Sequence, residues 1–235
     1  MGSRTGRRWH PGWRMTLFTA VMLPLVVSLG IWQLDRADEK RVYEDRYYDR
    51  LGQMPVSPPA DLSDSDFLQI RLEGSYDAQR YFLIDNQIHD GQVGYQVVSV
   101  FRARDGRSWL VNRGWVPAES KRERLPEVPI PAGEVTIVGV IWPQLGLPPL
   151  LTEDEWPADW PKRVQRFDIH RMAGLLPDIE PVEVRLEQGW PGVFVAPRLE
   201  MVVLPAKHLG YAAQWLGLGF ALAIGYLLFG FRKDG

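Results

Sequence analysis

The sequence predicts a membrane protein of the α+β class, in which two transmembrane helices flank a mainly antiparallel β barrel or sandwich domain with one short helix. Two uncharged apolar stretches lie near the two ends of the 235-residue chain. Between them, short segments rich in Val, Ile, Tyr, Phe and Trp alternate with turn residues, which is typical of a β domain. The chain has no cysteine, so apolar burial rather than disulfide bonds must stabilise this domain.

The first apolar stretch runs from Met15 to Leu34 and contains 20 residues without a formal charge. A helix of about 20 residues crosses the hydrocarbon core of a bilayer, and membrane helices tolerate a proline such as Pro24. A cleaved signal peptide is the alternative, because arginines precede the stretch. The stretch is longer than the usual signal core, however, and no small-x-small cleavage site follows it. We therefore predict a transmembrane helix over 15–34 after a basic tail over 1–14.

Residues 35–66 follow as a predicted helical extension and linker. Lys40 and Glu44 form one of two pairs of opposite charge that lie four residues apart, a spacing that stabilises exposed helices. Gly52 and the prolines after it indicate where this helix ends. A charge-rich helix of this kind is usually a solvated surface, and we assign it no chemistry.

Residues 67–207 form the predicted β domain. Its best hairpin signal is Asp105-Gly106 between two alternating runs, and Asp168 is placed to cap one short helix that ends at Leu176. The prolines and tryptophans of Pro143–Lys162 predict a long irregular loop and a candidate binding surface. The predicted strands are Gln69–Tyr76, Arg80–Gln87, Tyr95–Arg102, Ser108–Val116, Glu134–Trp142, Val182–Gln188 and Val193–Leu204.

The second apolar stretch predicts a transmembrane helix over 208–231. It contains 23 uncharged residues from Leu209 to Phe231, and the short tail 232–235 follows it. Small residues on this helix would allow another helix to approach closely, and the first transmembrane helix is the simplest partner. These small residues are Gly217, Gly219, Ala221, Ala223 and Gly225.

The short tails set the predicted orientation in the membrane. The N-terminal tail contains four arginines and the C-terminal tail contains Arg232 and Lys233, so the positive-inside rule keeps both tails in the cytoplasm. Basic residues just beyond the first helix oppose this assignment, but a long domain crosses the membrane largely regardless of its charge. We therefore predict a multi-pass protein of a bacterial inner membrane, with its central domain in the periplasm.

Composition and motifs argue against several functions. The segment from Asp35 to Lys207 contains 28 acidic and 21 basic residues, so it lacks the basic surface that nucleic-acid binding needs. The lack of cysteine excludes thiolate metal sites, iron–sulfur clusters and cysteine nucleophiles. The sequence also contains no catalytic serine motif, phosphate-binding glycine loop or zinc-ligand spacing. We predict that the protein is not an enzyme, and a membrane-anchored hydrolase is the least supported alternative.

His208 is the residue most open to a functional interpretation. It stands at the outer end of the second transmembrane helix, where spacings of three and seven put Tyr211 and Trp215 on its face, with Gln214 beside them. These residues could form the aromatic belt of the membrane interface. The alternative is an axial ligand for haem iron, since neutral imidazole binds iron well. The haem propionates would then need cations at a similar height. The candidates are Lys207 and Arg36.

Three motifs in order along the chain resemble those of the Surfeit-locus cytochrome oxidase assembly family. They are LGIWQLDRADEKR at the outer end of the first helix, LVNRGWVP at Leu110–Pro117, and HLGYAAQW at His208–Trp215. The arrangement of two helices around an outer domain also agrees with that family. The resemblance therefore covers nearly the whole chain.

The resemblance implies an assembly factor for haem–copper cytochrome c oxidase that binds haem a and assists its delivery to the catalytic subunit. The implied partners are that subunit, haem a synthase and membrane lipid. His208 would be the ligand of the haem iron, and Trp215 its neighbouring aromatic. Arg113 is a candidate to bind a propionate or a partner carboxylate; alternatively, its motif is a strand end with a structural Gly114 and a buried Trp115. A haem-free membrane scaffold that stabilises an oxidase assembly intermediate is the alternative function.

Overall fold

A computed structural model describes residues 9–50, 52–119, 124–144, 146–147, 149–150, 155–176, 178–196 and 205–231. Most of the predicted basic tail, the tail 232–235 and the end of the predicted strand Val193–Leu204 lie outside these ranges. The chain divides into two compact units. One consists of Met1–Asp45 with Glu200–Gly235, and the other of Arg46–Leu199.

The first unit is built from two long helices. Helix α1 spans Trp13–Arg50 without interruption and has Pro24 inside it. Its length agrees with the expectation that the helix continues beyond the apolar stretch. The other helix, the last of three in the described residues, spans Pro205–Gly230 and is called α3. Both helices are long and apolar enough to cross a membrane.

Helices α1 and α3 pack closely at two glycines, one on each helix. A Cβ added at Gly30 would lie 2.7 Å from Leu216 Cδ2, and one added at Gly219 would lie 3.2 Å from Val26 Cγ2. The first helix is therefore the partner of the second, as predicted. The predicted role of the small residues is only partly confirmed, because a Cβ at Gly217 or Gly225 would meet no described atom within 4 Å.

The second unit contains a single mixed sheet. Four of its strand pairings are antiparallel, whereas β1–β5 and β3–β6 are parallel. The strands are β1 (Gln69–His89), β2 (Gln92–Ala103), β3 (Ser108–Pro117), β4 (Val135–Trp142), β5 (Lys162–Val164) and β6 (Ile179–Leu186). Their order in the sheet is β2-β3-β6-β4-β1-β5, and β1 also pairs with β2. The prediction of a mainly antiparallel domain holds for these four pairings. The sheet is mixed because long connections allow β5 and β6 to join it in parallel.

Strand β1 replaces two of the predicted strands. The sequence around Asp77 predicts a turn, yet the strand continues through it with a shift of register between Tyr76 and Tyr81. Asp77 Oδ1 accepts hydrogen bonds from the backbone N–H groups of Gln79 and Arg80, both at 3.0 Å. The aspartate therefore stabilises an irregularity within one strand rather than a reversal of the chain.

The predicted loop Pro143–Lys162 contributes to the core near its C-terminal end. Phe82 of β1 lies 5.7 Å from the ring of Trp156 and 5.0 Å from that of Trp160. The short helix α2 spans Ile169–Ala173 and packs against the same cluster. Asp168 caps it as predicted, accepting a bond from the backbone N–H of Arg171. The tryptophans that suggested a binding surface are thus partly buried packing residues.

The structure describes only the first residues of the last predicted strand. Among the described residues of Val193–Leu204, Val195 forms an isolated antiparallel bridge with Trp115. This bridge brings the chain against the end of β3, where Arg113 and Gly114 lie.

Candidate functional site

His208 lies in the first turn of α3 and is partly buried. Its Nδ1 lies 2.7 Å from Oε1 of Gln33 on α1. Because an amide oxygen can only accept, a hydrogen bond at this contact requires a proton on Nδ1, which then donates the hydrogen bond to Gln33 Oε1. The imidazole is therefore held at one edge, and among the described residues Nε2 has no hydrogen-bond partner.

The other predicted residues of α3 follow His208 along the helix. Tyr211 is 53% exposed and Gln214 is exposed, whereas Trp215 is partly buried. No hydrogen bond joins any of them to His208 in the part of the chain that the structure describes. The helix therefore places these side chains on neighbouring positions, but it does not tie them into a network.

The two predicted cations of this unit have different surroundings. Arg36 forms an ion pair with Glu39 at 2.5 Å, and its guanidinium lies 5.8 Å from the centre of the Trp32 ring. Lys207 is exposed, and the described residues provide it with no ion-pair partner. Of the two, Lys207 is the cation more readily available to an external anion.

The surroundings of His208 are compatible with its acting as a single axial ligand of a haem iron. A metal-binding imidazole offers the lone pair of one nitrogen while the other nitrogen donates a hydrogen bond to the protein. His208 has this arrangement through Gln33, and the nearby aromatics Tyr211 and Trp215 provide apolar surface for a flat ring. The described residues contain no cluster of three or more His, Asp or Glu side chains that could hold a metal ion. A ligand set built from several such side chains is therefore not seen there.

The other three histidines have different surroundings. His89 and His170 belong to the other unit, where His89 lies 5.2 Å from the Trp115 ring and His170 is exposed on α2. The backbone N–H of His10 donates to the carbonyl of Gly230, at the far end of α3. His208 is the histidine that the described structure places at the predicted site.

Arg113 lies in the second unit and is completely buried. Its guanidinium donates to the carbonyls of Gly192 at 2.7 Å and Pro129 at 2.6 Å, and to Ser99 Oγ at 3.3 Å. Burial lowers the pKa of Arg113 to about 10, so the side chain stays charged at neutral pH. Its hydrogen bonds are thus used inside the fold, which favours the structural alternative over a propionate contact.

The neighbours of Arg113 also have structural roles. Asn112 Nδ2 donates to the buried carboxylate of Glu183 at 2.7 Å, and Asn112 Oδ1 accepts from the N–H of Gly114. Trp115 Nε1 donates to the carbonyl of Gln87 at 2.9 Å. The motif thus connects β3 to the strands and loops around it.

Gln33 contacts His208, yet the sequence alone did not indicate a role for it. It lies in the motif LGIWQLDRADEKR and is a polar residue inside an uncharged apolar stretch. Polar side chains in such stretches usually face another helix and have a specific partner. That signal could have drawn attention to Gln33, but it could not have identified His208 as the partner.

Comparison with known proteins gives consistent matches over most of the chain. A family model described as the SURF1 family matches residues 20–220, which include Gln33, Arg113 and His208. A SURF1-like protein of Rickettsia felis is 22% identical, over 92% of this chain and 96% of that protein. Surfeit locus protein 1 of Homo sapiens is 25% identical, over 89% of this chain and 75% of the human protein. A SURF1-like protein of Dictyostelium discoideum is 30% identical in a shorter match, which covers 41% of this chain and 40% of that protein.

Proposed function

Because this chain belongs to the SURF1 family, we propose that it assists the assembly of haem–copper cytochrome c oxidase. In this proposal it binds haem a and helps to deliver it to the catalytic subunit of the oxidase. The protein acts as a carrier and not as an enzyme. The oxidase catalytic subunit and haem a synthase are its proposed protein partners.

The observation that carries this proposal is the state of the His208 side chain. Its Nδ1 is hydrogen-bonded to Gln33, and its Nε2 is without a partner among the described residues. A neutral imidazole in this state is ready to donate a lone pair to haem iron. A single protein ligand suits a carrier, because haem must be released after it has been protected.

The residues around His208 have proposed roles in holding the haem. Tyr211 and Trp215 would pack against the porphyrin, and Gln214 would border it. Lys207 would pair with a propionate at the aqueous boundary, since it is exposed at the start of α3. Arg36 would do so only by leaving its ion pair with Glu39. The bound haem itself supplies the redox chemistry, which takes place in the oxidase.

The proposed location is a bacterial inner membrane. Helices α1 and α3 are long and apolar enough to cross it, and the arginines of the N-terminal tail favour cytoplasmic termini. The central domain would then lie in the periplasm, and membrane lipid would surround the two helices. His208 would stand at the outer boundary of the bilayer.

The test is an absorption spectrum of the full chain, purified in detergent from cells that make haem a. We expect a Soret band and a red-shifted haem a band in the parent protein, and the loss of both in His208→Ala. His170→Ala is the matched control, since it removes an exposed histidine of the other unit, and it should retain both bands.

The haem-free scaffold makes the opposite prediction for the same measurement. Folded protein without haem in either the parent or His208→Ala would overturn the carrier proposal. Attention would then move to Pro143–Lys162 as a surface for the assembly intermediate.

A further inference from the structure

We infer that Gln33 is a positioning residue that holds His208 in the tautomer with its proton on Nδ1, so that Nε2 faces the ligand. The inference deepens the proposed function and rests on it for the identity of that ligand. The structural basis is the 2.7 Å contact between two side chains that lie 175 residues apart in the chain. Gln33 itself need not touch the haem.

The direction of the hydrogen bond decides the tautomer. In a neutral imidazole one nitrogen carries the proton and the other carries a lone pair. Gln33 Oε1 faces Nδ1 and can only accept, so this contact is compatible with a proton on Nδ1 alone among the neutral forms. The lone pair is then on Nε2, the nitrogen that extends away from the contact.

The packing of the two helices maintains this contact. On α1, Gly30 and Ala37 lie one turn before and one turn after Gln33, and both are buried. Gly30 faces Leu216 of α3 so closely that an added Cβ would lie 2.7 Å from Leu216 Cδ2. The two helices therefore meet one turn before Gln33, and Ala37, one turn after it, is also buried, which restricts the movement of the Gln33 amide relative to His208. Supporting residues of this kind commonly change metal affinity by about 10- to 100-fold when they are removed.

The amide has two useful properties at this position. It is uncharged, so it costs less than a carboxylate to bury at the boundary of a membrane. It also competes weakly for iron, so it directs the imidazole without becoming a ligand itself. A leucine at the same position would leave His208 free to rotate and to exchange its proton between the two nitrogens.

The tautomer can be measured without haem. The chain has four histidines, so nitrogen NMR of histidine-labelled protein in detergent gives few signals, and His208→Ala identifies those of His208. At a pH of about 8, where an ordinary histidine is neutral, we expect the parent to show the Nδ1–H form. Gln33→Leu should move His208 towards a mixture of both tautomers, whereas Gln33→Glu should preserve the Nδ1–H form because a carboxylate also accepts.

A matched control separates this effect from a general disturbance of α1. Ser28→Leu changes an exposed polar residue of the same helix and should leave the His208 signals in place. A parent protein with the proton on Nε2, or a Gln33→Leu variant with unchanged signals, would overturn the inference.

Haem titration of the same variants then distinguishes this inference from the proposed function. We expect Gln33→Leu to bind haem a about 10- to 100-fold more weakly than Gln33→Glu and Ser28→Leu. If the tautomer depends on Gln33 but neither the parent nor any variant binds haem, the haem proposal fails while the positioning role of Gln33 stands. If haem binds and Gln33→Leu binds it as tightly as the parent, Gln33 does not position the ligand.

Discussion

The guanidinium carbon of Arg113 lies 4.8 Å from the centre of the Tyr76 ring and 4.7 Å from the centre of the Phe194 ring. The arginine is thus enclosed by aromatic rings and by the carbonyls of Pro129 and Gly192. No carboxylate forms an ion pair with it among the described residues. Burial raises the pKa of Tyr76, so its hydroxyl stays protonated and donates to the carbonyl of Pro191.

This arrangement predicts that Arg113 stabilises the β domain. Arg113→Ala leaves two buried carbonyls without a donor and should lower the free energy of unfolding by about 3 kcal/mol. For a domain of this size, the thermal midpoint should fall by about 6 °C or more. Thermal unfolding of the full chain in detergent, followed by tryptophan fluorescence, gives the measurement.

Arg102→Ala is the control for Arg113→Ala. Arg102 is largely exposed and pairs with Asp77, and removal of an exposed pair should cost about 1 kcal/mol or less. Equal midpoints for the two variants would show that the buried guanidinium is not a stabilising connection.

Substitutions at Gly114 and Gly106 should differ in their effect on stability. Its φ is +99°, and a Cβ would overlap the backbone carbonyl of Val195. Gly114→Ala should therefore cost about 3 kcal/mol or more, since the strain of the backbone adds to a clash with rigid atoms. Gly106 has a similar φ of +89° with no atom within 4 Å of the added Cβ, so Gly106→Ala should cost only about 1 kcal/mol.

Denaturant unfolding of the two alanine variants makes the comparison. A loss for Gly106→Ala as large as that for Gly114→Ala would mean that backbone strain alone, and not the approach of Val195, explains the need for glycine.

Gly30 limits the distance between helices α1 and α3. Gly30→Leu places a large side chain against Leu216 and should separate α1 from α3 by about 2 Å, because the interaxial distance follows the side chains at the contact. The chain has no cysteine, so spin labels at Leu34→Cys and Leu209→Cys report this distance without background. Gly217→Leu, where an added Cβ meets nothing within 4 Å, is the matched control and should leave the distance unchanged. An unchanged distance in Gly30→Leu would contradict close packing of α1 against α3 at Gly30.

Local chemistry made much of the fold predictable. The hairpin at Asp105-Gly106 follows the sequence because turn residues with positive φ act over a few positions: Arg102 pairs with Ser108, and Gly106 has a φ of +89°. The two apolar helices and the Asp168 cap depend on equally local signals. These elements needed no knowledge of the rest of the chain.

Long-range contacts account for what the sequence did not predict. The parallel pairing of β3 with β6 joins segments separated by two other strands and a helix, and no local pattern determines such a pairing. The contact of Gln33 with His208 likewise requires that α1 and α3 meet at one level. His208 could be selected from its position and from the resemblance, whereas its partner required the structure.

We propose that oxidase assembly depends on haem carriage by His208. The most direct measurement is the reduced-minus-oxidised spectrum of membranes from a bacterial strain that lacks its own SURF1-family gene and expresses this chain. Parent, His208→Ala and His170→Ala proteins are compared at equal levels in the membrane. We expect the parent and His170→Ala to restore the haem a band of the oxidase, and His208→Ala to restore only a small fraction of it. A His208→Ala protein that restores the band as fully as the parent would contradict haem carriage by His208.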